Sequence, residues 1–122
     1  MLTDLLARIP RARGAIFCDH EGESVEWALP GAPPSGMAQL SEYELKLCGA
    51  QLAAAWLLFE ERSQEHGGGA IRELQLGTSL GTLLAQAVAE GYYAVLLIAP
   101  GRGASRAIYE LRETAAHLAS EM

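Results

Sequence analysis

Lysine is almost absent from this 122-residue sequence, which contains one lysine, Lys46, and eight arginines. The nine cations are outnumbered by 15 acidic residues, which leaves a net charge of −6. A nucleic-acid-binding surface is normally basic and a polybasic membrane anchor needs clustered cations, so this balance disfavours both. The longest apolar stretch in the middle of the chain, residues 52–59, is also too short to span a bilayer. We therefore expect no nucleic-acid partner and no membrane insertion.

Cysteine is nearly as scarce, with only Cys18 and Cys48, which form no CxxC motif. Each lies in an apolar run, where a reduced cysteine behaves as a small hydrophobic residue. We therefore expect two buried free thiols. The first residues include Asp4 and lack the long apolar core of a signal peptide, so the expected compartment is the cytoplasm.

Hydrophobic residues, in contrast, make up 50% of the chain, which suffices for one packed core and predicts a single domain over residues 1–122. Apolar periodicity and turn residues divide it into eight elements. The first is a helix that Thr3 or Asp4 can cap. Residues 80–88 also suit a helix, but the glycine turn at Gly91 favours a hairpin and hence a strand. In chain order we predict helix 3–9, strands 14–19 and 23–29, helix 41–65, strands 71–78, 83–88 and 92–99, and helix 104–122.

The central helix has more apolar surface than one contact can bury. Ser41 and Glu44 match a capping box at its start. At 100° per residue, one apolar stripe is expected to pack on the sheet, namely Leu45, Cys48, Leu52, Ala55, Trp56 and Phe59. A second apolar set occupies much of the other side, namely Leu47, Ala50, Ala53, Ala54, Leu57 and Leu58. A loop could cover this set, but we favour a partner surface and therefore self-association.

A serine motif is the strongest candidate for catalysis. Gly77–Gly81 matches the G-x-S-x-G pattern of hydrolases, with Ser79 as the candidate nucleophile. A catalytic histidine and acid must follow, yet His117 is the only later histidine and no aspartate follows at all. A glycine-flanked turn between two strands is therefore the favoured interpretation.

Two further motifs carry groups that can bind ligands. Gly101–Gly103 precedes the last helix, where free N–H groups could hold an anion, although such glycines also simply end a strand. Asp19, His20 and Glu21 can each bind metals, but adjacent side chains diverge and no second cluster completes a shell. The sequence thus predicts no catalytic residue, no metal site and no cofactor.

The order helix, two strands, long helix, three strands and helix resembles that of the Roadblock/dynein light-chain family. Residues 5–10 with the following Arg-Gly-Ala resemble the family's first helix and its run into the first strand. Residues 19–22 resemble its acidic, glycine-closed turn, residues 90–97 its glycine-led last strand, and residues 107–118 its closing helix. The resemblance covers almost the whole chain, although the alanine-rich segment 80–89 and the triple glycine after the long helix depart from it.

The resemblance implies an α+β sandwich, in which a five-stranded antiparallel sheet has the long helix on one face and both terminal helices on the other. Family members dimerise by joining their third strands edge to edge and laying the long helices side by side. In this chain the implied interface comprises Leu47, Ala50, Ala54, Leu57, Leu58, Ile71, Glu73 and Gln75.

The family contains regulators and scaffolds of small Ras-like GTPases, so the resemblance implies a non-catalytic homodimeric regulator or adaptor of such a system. Its bacterial members of the MglB and MglC type act in cell polarity and gliding motility. We expect an MglC-like adaptor, because no extension follows the last helix. An MglB-like GTPase activator that supplies no arginine finger is the alternative, and a small serine hydrolase using Ser79 is a remote one. The expected partners are a second copy, the small GTPase and polarity-complex proteins.

Overall fold

The computed structural model describes residues 1–79, 81–89, 91–101 and 103–122, so the parts of the sequence motifs that fall on Leu80, Glu90 and Arg102 lie outside the described residues. The elements are α1 Leu2–Ala7, β1 Ala12–Asp19, β2 Ser24–Ala28, α2 Glu42–Glu65, β3 Glu73–Thr78, β4 Gly81–Ala87, β5 Tyr92–Ile98 and α3 Ala104–Ser120. This is the predicted order of elements. None of the helices within the described residues is long and apolar enough to cross a bilayer.

The five strands form one antiparallel sheet in the order β2-β1-β5-β4-β3. Strands β2 and β3 are therefore the two edges. The hairpin from β4 to β5 turns at Gly91, which has a φ of 82° that favours glycine. The N–H of Tyr92 closes this turn by donating to the carbonyl of Ala89 at 3.0 Å. The segment that also suited a helix is thus a strand, as predicted.

Each face of the sheet has its own core. Alternate residues of β1 point to opposite faces, so Ile16 and Cys18 pack under α2 with Val95 of β5. Ala15 and Phe17 point the other way, into the core that α1 and α3 cover. The structure therefore confirms the implied α+β sandwich, with the long helix on one face and both terminal helices on the other.

A glycine and a tryptophan fix how α2 sits on the sheet. Gly49 lies directly over Ile16 of β1, and a Cβ at Gly49 would be 3.1 Å from Ile16 Cδ1. Trp56 is 1% exposed, and its ring centroid is 4.5 Å from that of Tyr93 in β5. Together these contacts set the rotation of α2 about its axis and hence determine which of its side chains remain exposed.

Helices α1 and α2 begin for different reasons. The capping box of α2 is confirmed, since Glu44 N–H donates to Ser41 Oγ and Ser41 N–H donates to Glu44 Oε1, each at 3.0 Å. The expected cap of α1 by Thr3 or Asp4 is wrong, because α1 already begins at Leu2 and has no side-chain cap. Leu2 is fully buried, so its packing determines where this helix starts.

Strands β3 and β4 are shifted from their predicted bounds. β4 begins at Gly81, two residues before the predicted start, because a residue without a Cβ can approach the Ile98 carbonyl of β5 there. β3 begins at Glu73, two residues later than predicted. Ahead of it, Ala87 N–H still donates to the Arg72 carbonyl at 2.8 Å, so the pairing continues irregularly.

Candidate interaction surface

One flank of α2 is held against the β2 side of the sheet. Lys46 Nζ lies 4.0 Å from the ring centroid of Trp27 in β2. One helical turn later, Ala50 contacts Gly22 in the β1–β2 turn, where a Cβ on the glycine would be 2.7 Å from Ala50 Cα. The helical repeat places four residues on this side, which we call the β2 flank, namely Lys46, Ala50, Ala53 and Leu57.

The opposite flank of α2 points toward β5, β4 and β3 and is largely uncovered. Six residues share this side by the helical repeat, and we call them the open flank: Glu44, Cys48, Gln51, Ala55, Leu58 and Arg62. Cys48 and Ala55 are half-buried and the other four are exposed. Leu58 is the one exposed large apolar side chain among these six, and Leu47, which is also exposed, lies next to it on the solvent side of α2. Exposed apolar side chains that form a patch are typical of a protein interface.

Three leucines continue this uncovered surface onto the sheet. Leu97 of β5 pairs with Leu83 of β4, which in turn pairs with Leu76 of β3, and we call this the leucine row. All three point to the α2 face, because Leu97 lies two residues after Val95 of the α2 core. Leu76 is 58% exposed, and the row lines a cavity of about 190 Å³ together with Arg13. An apolar surface therefore lies on the α2 face of the sheet and reaches its β3 edge.

The edge strand β3 is exposed along its length except at Leu74, which is half-buried. In the described part of the chain it pairs only with β4, so the backbone groups on its outer side have no partner strand. Glu73 and Gln75 face α3, where Arg112 Nη2 and Nε donate to the Glu73 carboxylate at 2.6 and 3.0 Å. These hydrogen bonds hold the pKa of Glu73 below its usual value.

Seven of the eight predicted interface residues are exposed, and the eighth, Ile71, is half-buried. The five helical ones spread over the solvent side of α2, from one flank to the other. Leu58 belongs to the open flank, and Leu47 and Ala54 face solvent next to it. The remaining two lie on the β2 flank. Their common assignment to one interface stays a prediction.

The sequence assigned two residues of α2 to the wrong side. Phe59 was expected to pack on the sheet but is 52% exposed, whereas Ala53 was expected on the outer side and is 2% exposed. The reason is that the backbone of α2 lies closest to β1 and β2. This position turns the buried face of the helix toward β2, which brings Ala53 in and moves Phe59 out.

The leucine row was missed because two of its members sit in double-leucine pairs. Leu83 and Leu97 each have a leucine neighbour, Leu84 and Leu96, which points to the opposite face and is buried. Period-two patterns cannot decide which leucine of such a pair is covered. The register between the strands decides it.

Ser79 lies in the turn between β3 and β4, which confirms the interpretation of its motif as a turn. A nucleophile elbow requires a helix after the serine, whereas here β4 begins at Gly81. His117 lies on α3 in a groove with Asp4 and Glu113. Among the described residues, the geometry of a serine hydrolase is therefore not assembled around Ser79.

The acidic turn between β1 and β2 uses its aspartate for structure. One oxygen of Asp19 accepts hydrogen bonds from the N–H groups of Glu21 and Glu23, at 2.9 and 3.1 Å. Such bonds hold the chain in the turn. Within the described ranges, no three His, Cys, Asp or Glu side chains converge in a way that could hold a metal ion.

Both cysteines are free thiols. Cys18 is fully buried, and burial, with smaller contributions from Asp19 and Cys48, raises its pKa to about 11. Cys48 is only half-buried, although burial raises its pKa as well. The expectation of a buried thiol is confirmed for Cys18, whereas Cys48 lies partly exposed on the open flank.

Solved structures share this architecture at low sequence identity. A Roadblock/LC7 domain from Streptomyces avermitilis is 15% identical with a TM-score of 0.82, covering 98% of this chain and 92% of that one. The gliding protein MglB from Thermus thermophilus is 15% identical with a TM-score of 0.81, covering 98% and 83%. MglC from Myxococcus xanthus is 17% identical with a TM-score of 0.69, covering 99% and 95%. No protein-family model and no curated protein matches the sequence. The chain therefore has the Roadblock/LC7 fold, as its resemblance to that family implied.

Proposed function

We propose that this chain of Roadblock/LC7 fold is a non-catalytic, homodimeric regulator or adaptor of a small Ras-like GTPase system in bacterial cell polarity or gliding motility. The observation that carries the proposal is the exposed apolar surface that Leu47 and Leu58 of α2 and the leucine row form on the β3 side of the sheet. Such a surface on an otherwise folded chain needs a protein partner. A gliding protein, MglB, is among the proteins that share the fold.

A second copy of the chain is the first partner. Pairing two β3 strands antiparallel about a two-fold axis joins the two edges into one sheet through their outward-facing backbone groups. The same axis puts both α2 helices on one face of the joined sheet, where they cover the two leucine rows. The interface then contains Leu47, Ala54, Leu58, Ile71, Glu73, Gln75 and Leu76. Ala50 and Leu57, on the β2 flank, lie outside it.

An adaptor role requires only binding surfaces, which is the role we favour. The alternative is an activator that reorganises the GTPase's own residues, and the higher TM-score to MglB than to MglC supports it. In both roles this chain contributes contacts to the GTPase rather than a reacting group.

Binding to small Ras-like GTPases from the same organism tests the proposal. Each GTPase is loaded with GDP or with a non-hydrolysable GTP analogue and titrated with the purified chain by isothermal calorimetry. We expect one GTPase, or its complex with a polarity protein, to bind in a nucleotide-dependent way. GTP turnover then separates the roles, because an adaptor leaves it unchanged and an activator raises it. A folded, dimeric chain that binds neither kind of protein contradicts the proposal.

A further inference from the structure

A cavity of about 190 Å³ lies on the other face of the sheet, where the end of α1 meets the start of α3. Much of its wall is apolar, formed by Ile9 and Pro10 after α1, Ile98 at the end of β5 and Ala107 in α3. Cavities of about 150 Å³ in protein cores bind a benzene molecule. This one therefore has room for one aliphatic or aromatic side chain.

Three arginines, Arg8, Arg11 and Arg106, line the same cavity. Arg8 is neutralised within the chain, because its Nε donates to Glu110 Oε2 at 2.7 Å. Arg11 and Arg106 are exposed and form no ion pair with any described residue. Two positive charges without a counter-charge among the described residues thus lie beside an apolar cavity.

The backbone around the cavity fixes the position of Arg11. Its Nε donates to the Ala99 carbonyl at 3.5 Å, and the Ala99 N–H donates to the Arg11 carbonyl at 2.8 Å. The guanidinium also lies against Gly101, where a Cβ would be 2.6 Å from Arg11 Nε, so a larger residue there would displace it. A charged group that is already held in place loses less conformational entropy when a ligand binds.

Charge is distributed unevenly around this cavity. The two segments that line it, residues 5–12 and 98–109, contain four of the eight arginines and none of the 15 acidic residues, although the chain carries a net charge of −6. Such a basic patch attracts an acidic group locally, whereas the acidic remainder of the surface repels an extended polyanion. Nucleic acid and an anionic membrane are therefore disfavoured, while a short acidic segment can contact the basic patch alone.

We propose that this cavity binds an acidic segment of a partner protein. One apolar side chain of the segment enters the cavity, and the carboxylates on either side of it pair with Arg11 and Arg106. Arginine binds carboxylates through two parallel hydrogen bonds, which fix the orientation of the segment as well as adding affinity.

This site does not depend on the proposed dimer or on GTPase binding. It lies on the α1 and α3 face of the sheet, opposite α2 and the leucine row, and therefore stays open when the β3 edges pair. A chain with both surfaces can bind an acidic partner while it is dimeric, which extends the adaptor role to a second kind of protein.

A fluorescein-labelled peptide with one leucine between two runs of Glu and Asp is the probe, and fluorescence anisotropy measures its binding to the purified chain. We expect saturable binding, with a dissociation constant that rises at least about tenfold for Arg11→Glu and for Arg106→Glu. Replacing the leucine of the peptide by serine removes the apolar anchor and is expected to raise the dissociation constant about tenfold as well.

Arg72→Glu is the matched control, since it makes the same charge change at an exposed arginine outside the cavity. Its dissociation constant is expected to stay within about twofold of the wild type. Arg106 forms no hydrogen bond within the described residues, so Arg106→Glu keeps the test valid if Arg11→Glu lowers the thermal stability. An Arg72→Glu effect as large as that of Arg106→Glu, or unchanged binding of the serine peptide, overturns the proposal.

Vesicles that contain phosphatidylserine test a lipid surface as the other source of negative charge. If the chain cosediments with these vesicles, loses this property in Arg106→Glu and does not bind the peptide, the proposal is overturned in favour of a membrane. Binding to neither probe overturns it as well. Sedimentation equilibrium of the same samples reports the oligomeric state, so this site can fail while the proposed dimer stands.

Discussion

Each flank of α2 carries one exposed leucine, but the two flanks differ in the contacts they make. On the β2 flank, Lys46 packs over the Trp27 ring and Ala50 contacts Gly22, so this side makes contacts within the fold. On the open flank, Leu58 is 52% exposed, and the leucine row on the same side ends at the edge strand β3. One helix therefore uses one side to hold the fold together and offers the other to a partner. The exposure of a leucine alone does not tell the two sides apart.

Leu57 and Leu58 give the sharpest test of this difference, because they are neighbours with nearly equal exposure, 57% and 52%. Leu58→Glu buries a carboxylate twice in the symmetric dimer, and we expect the dissociation constant to rise at least about 100-fold. Leu57→Glu lies on the β2 flank and is expected to leave the dimer intact. Sedimentation equilibrium measures both. An equal rise in the dissociation constant for the two variants would mean that both flanks belong to the dimer interface, which contradicts this account.

An alanine at Gly22, in the turn packed on α2, and an alanine at Gly77, in the edge strand β3, are expected to change the free energy of unfolding by different amounts. Gly22 has a φ of +85°, and a Cβ there would be 2.7 Å from Ala50 Cα, whereas a Cβ at Gly77 would meet nothing within 4 Å. In the monomeric Leu58→Glu background, we expect Gly22→Ala to lower the free energy of unfolding by about 2–3 kcal/mol. Gly77→Ala is expected to leave it unchanged or raise it by about 0.5 kcal/mol. Urea denaturation checks both, and a cost at Gly77 equal to that at Gly22 would refute the contrast.

The start of α2 serves both flanks, so its cap is expected to matter for stability but not for partner choice. Ser41→Ala removes the hydroxyl that accepts the Glu44 N–H at 3.0 Å. We expect a loss of about 1 kcal/mol in the free energy of unfolding in the same monomeric background. Ser41→Asp, which keeps an accepting oxygen, is the control and should retain most of the stability. An unchanged free energy of unfolding in Ser41→Ala would show that packing alone determines where this helix starts.

The ion pair at the β3 edge is expected to have the smallest effect. Because Arg112 lowers the pKa of Glu73 below 4.5, the pair stabilises the fold above that pH, and its contribution disappears as the pH falls through the lowered pKa. Glu73→Gln should therefore cost a few tenths of a kcal/mol near neutral pH, since both partners are exposed. Below the lowered pKa it should cost nothing. Urea denaturation of the wild type and of the variant, at neutral pH and below the lowered pKa, measures this cost. A cost that is larger in acid would contradict the prediction.

The sequence was sufficient for the order of elements, which follows from local patterns, and its resemblance to the Roadblock family implied the two-sided sheet. Ser41 and Glu44 marked the start of α2, and the turn at Gly91 marked the last hairpin. The sides of α2 were harder to predict, as Phe59 and Ala53 show. Their burial depends on where the helix crosses the sheet, and that position follows from the contact of Gly49 with Ile16 rather than from periodicity.

The candidate surface was predicted only in part, for a similar reason. Excess apolar residues on α2 indicated an interface, and Leu58 lies on it. The leucine row was not recognised from the sequence, because Leu83 and Leu97 become neighbours only through the pairing of β4 with β5. Contacts between distant strands are set by the register of the whole sheet, which no short segment contains.

Hydrogen exchange in the two edge strands tests the central claim most directly. If β3 pairs with β3 of a second copy, its outward N–H groups are protected in the dimer and exposed in the monomer. We predict that β3, Glu73–Thr78, exchanges more slowly as the protein concentration rises, and that the Leu58→Glu variant abolishes this dependence. β2, Ser24–Ala28, should exchange at the same rate throughout. Exchange of β3 that is independent of concentration, in a chain that sediments as a dimer, would contradict the account.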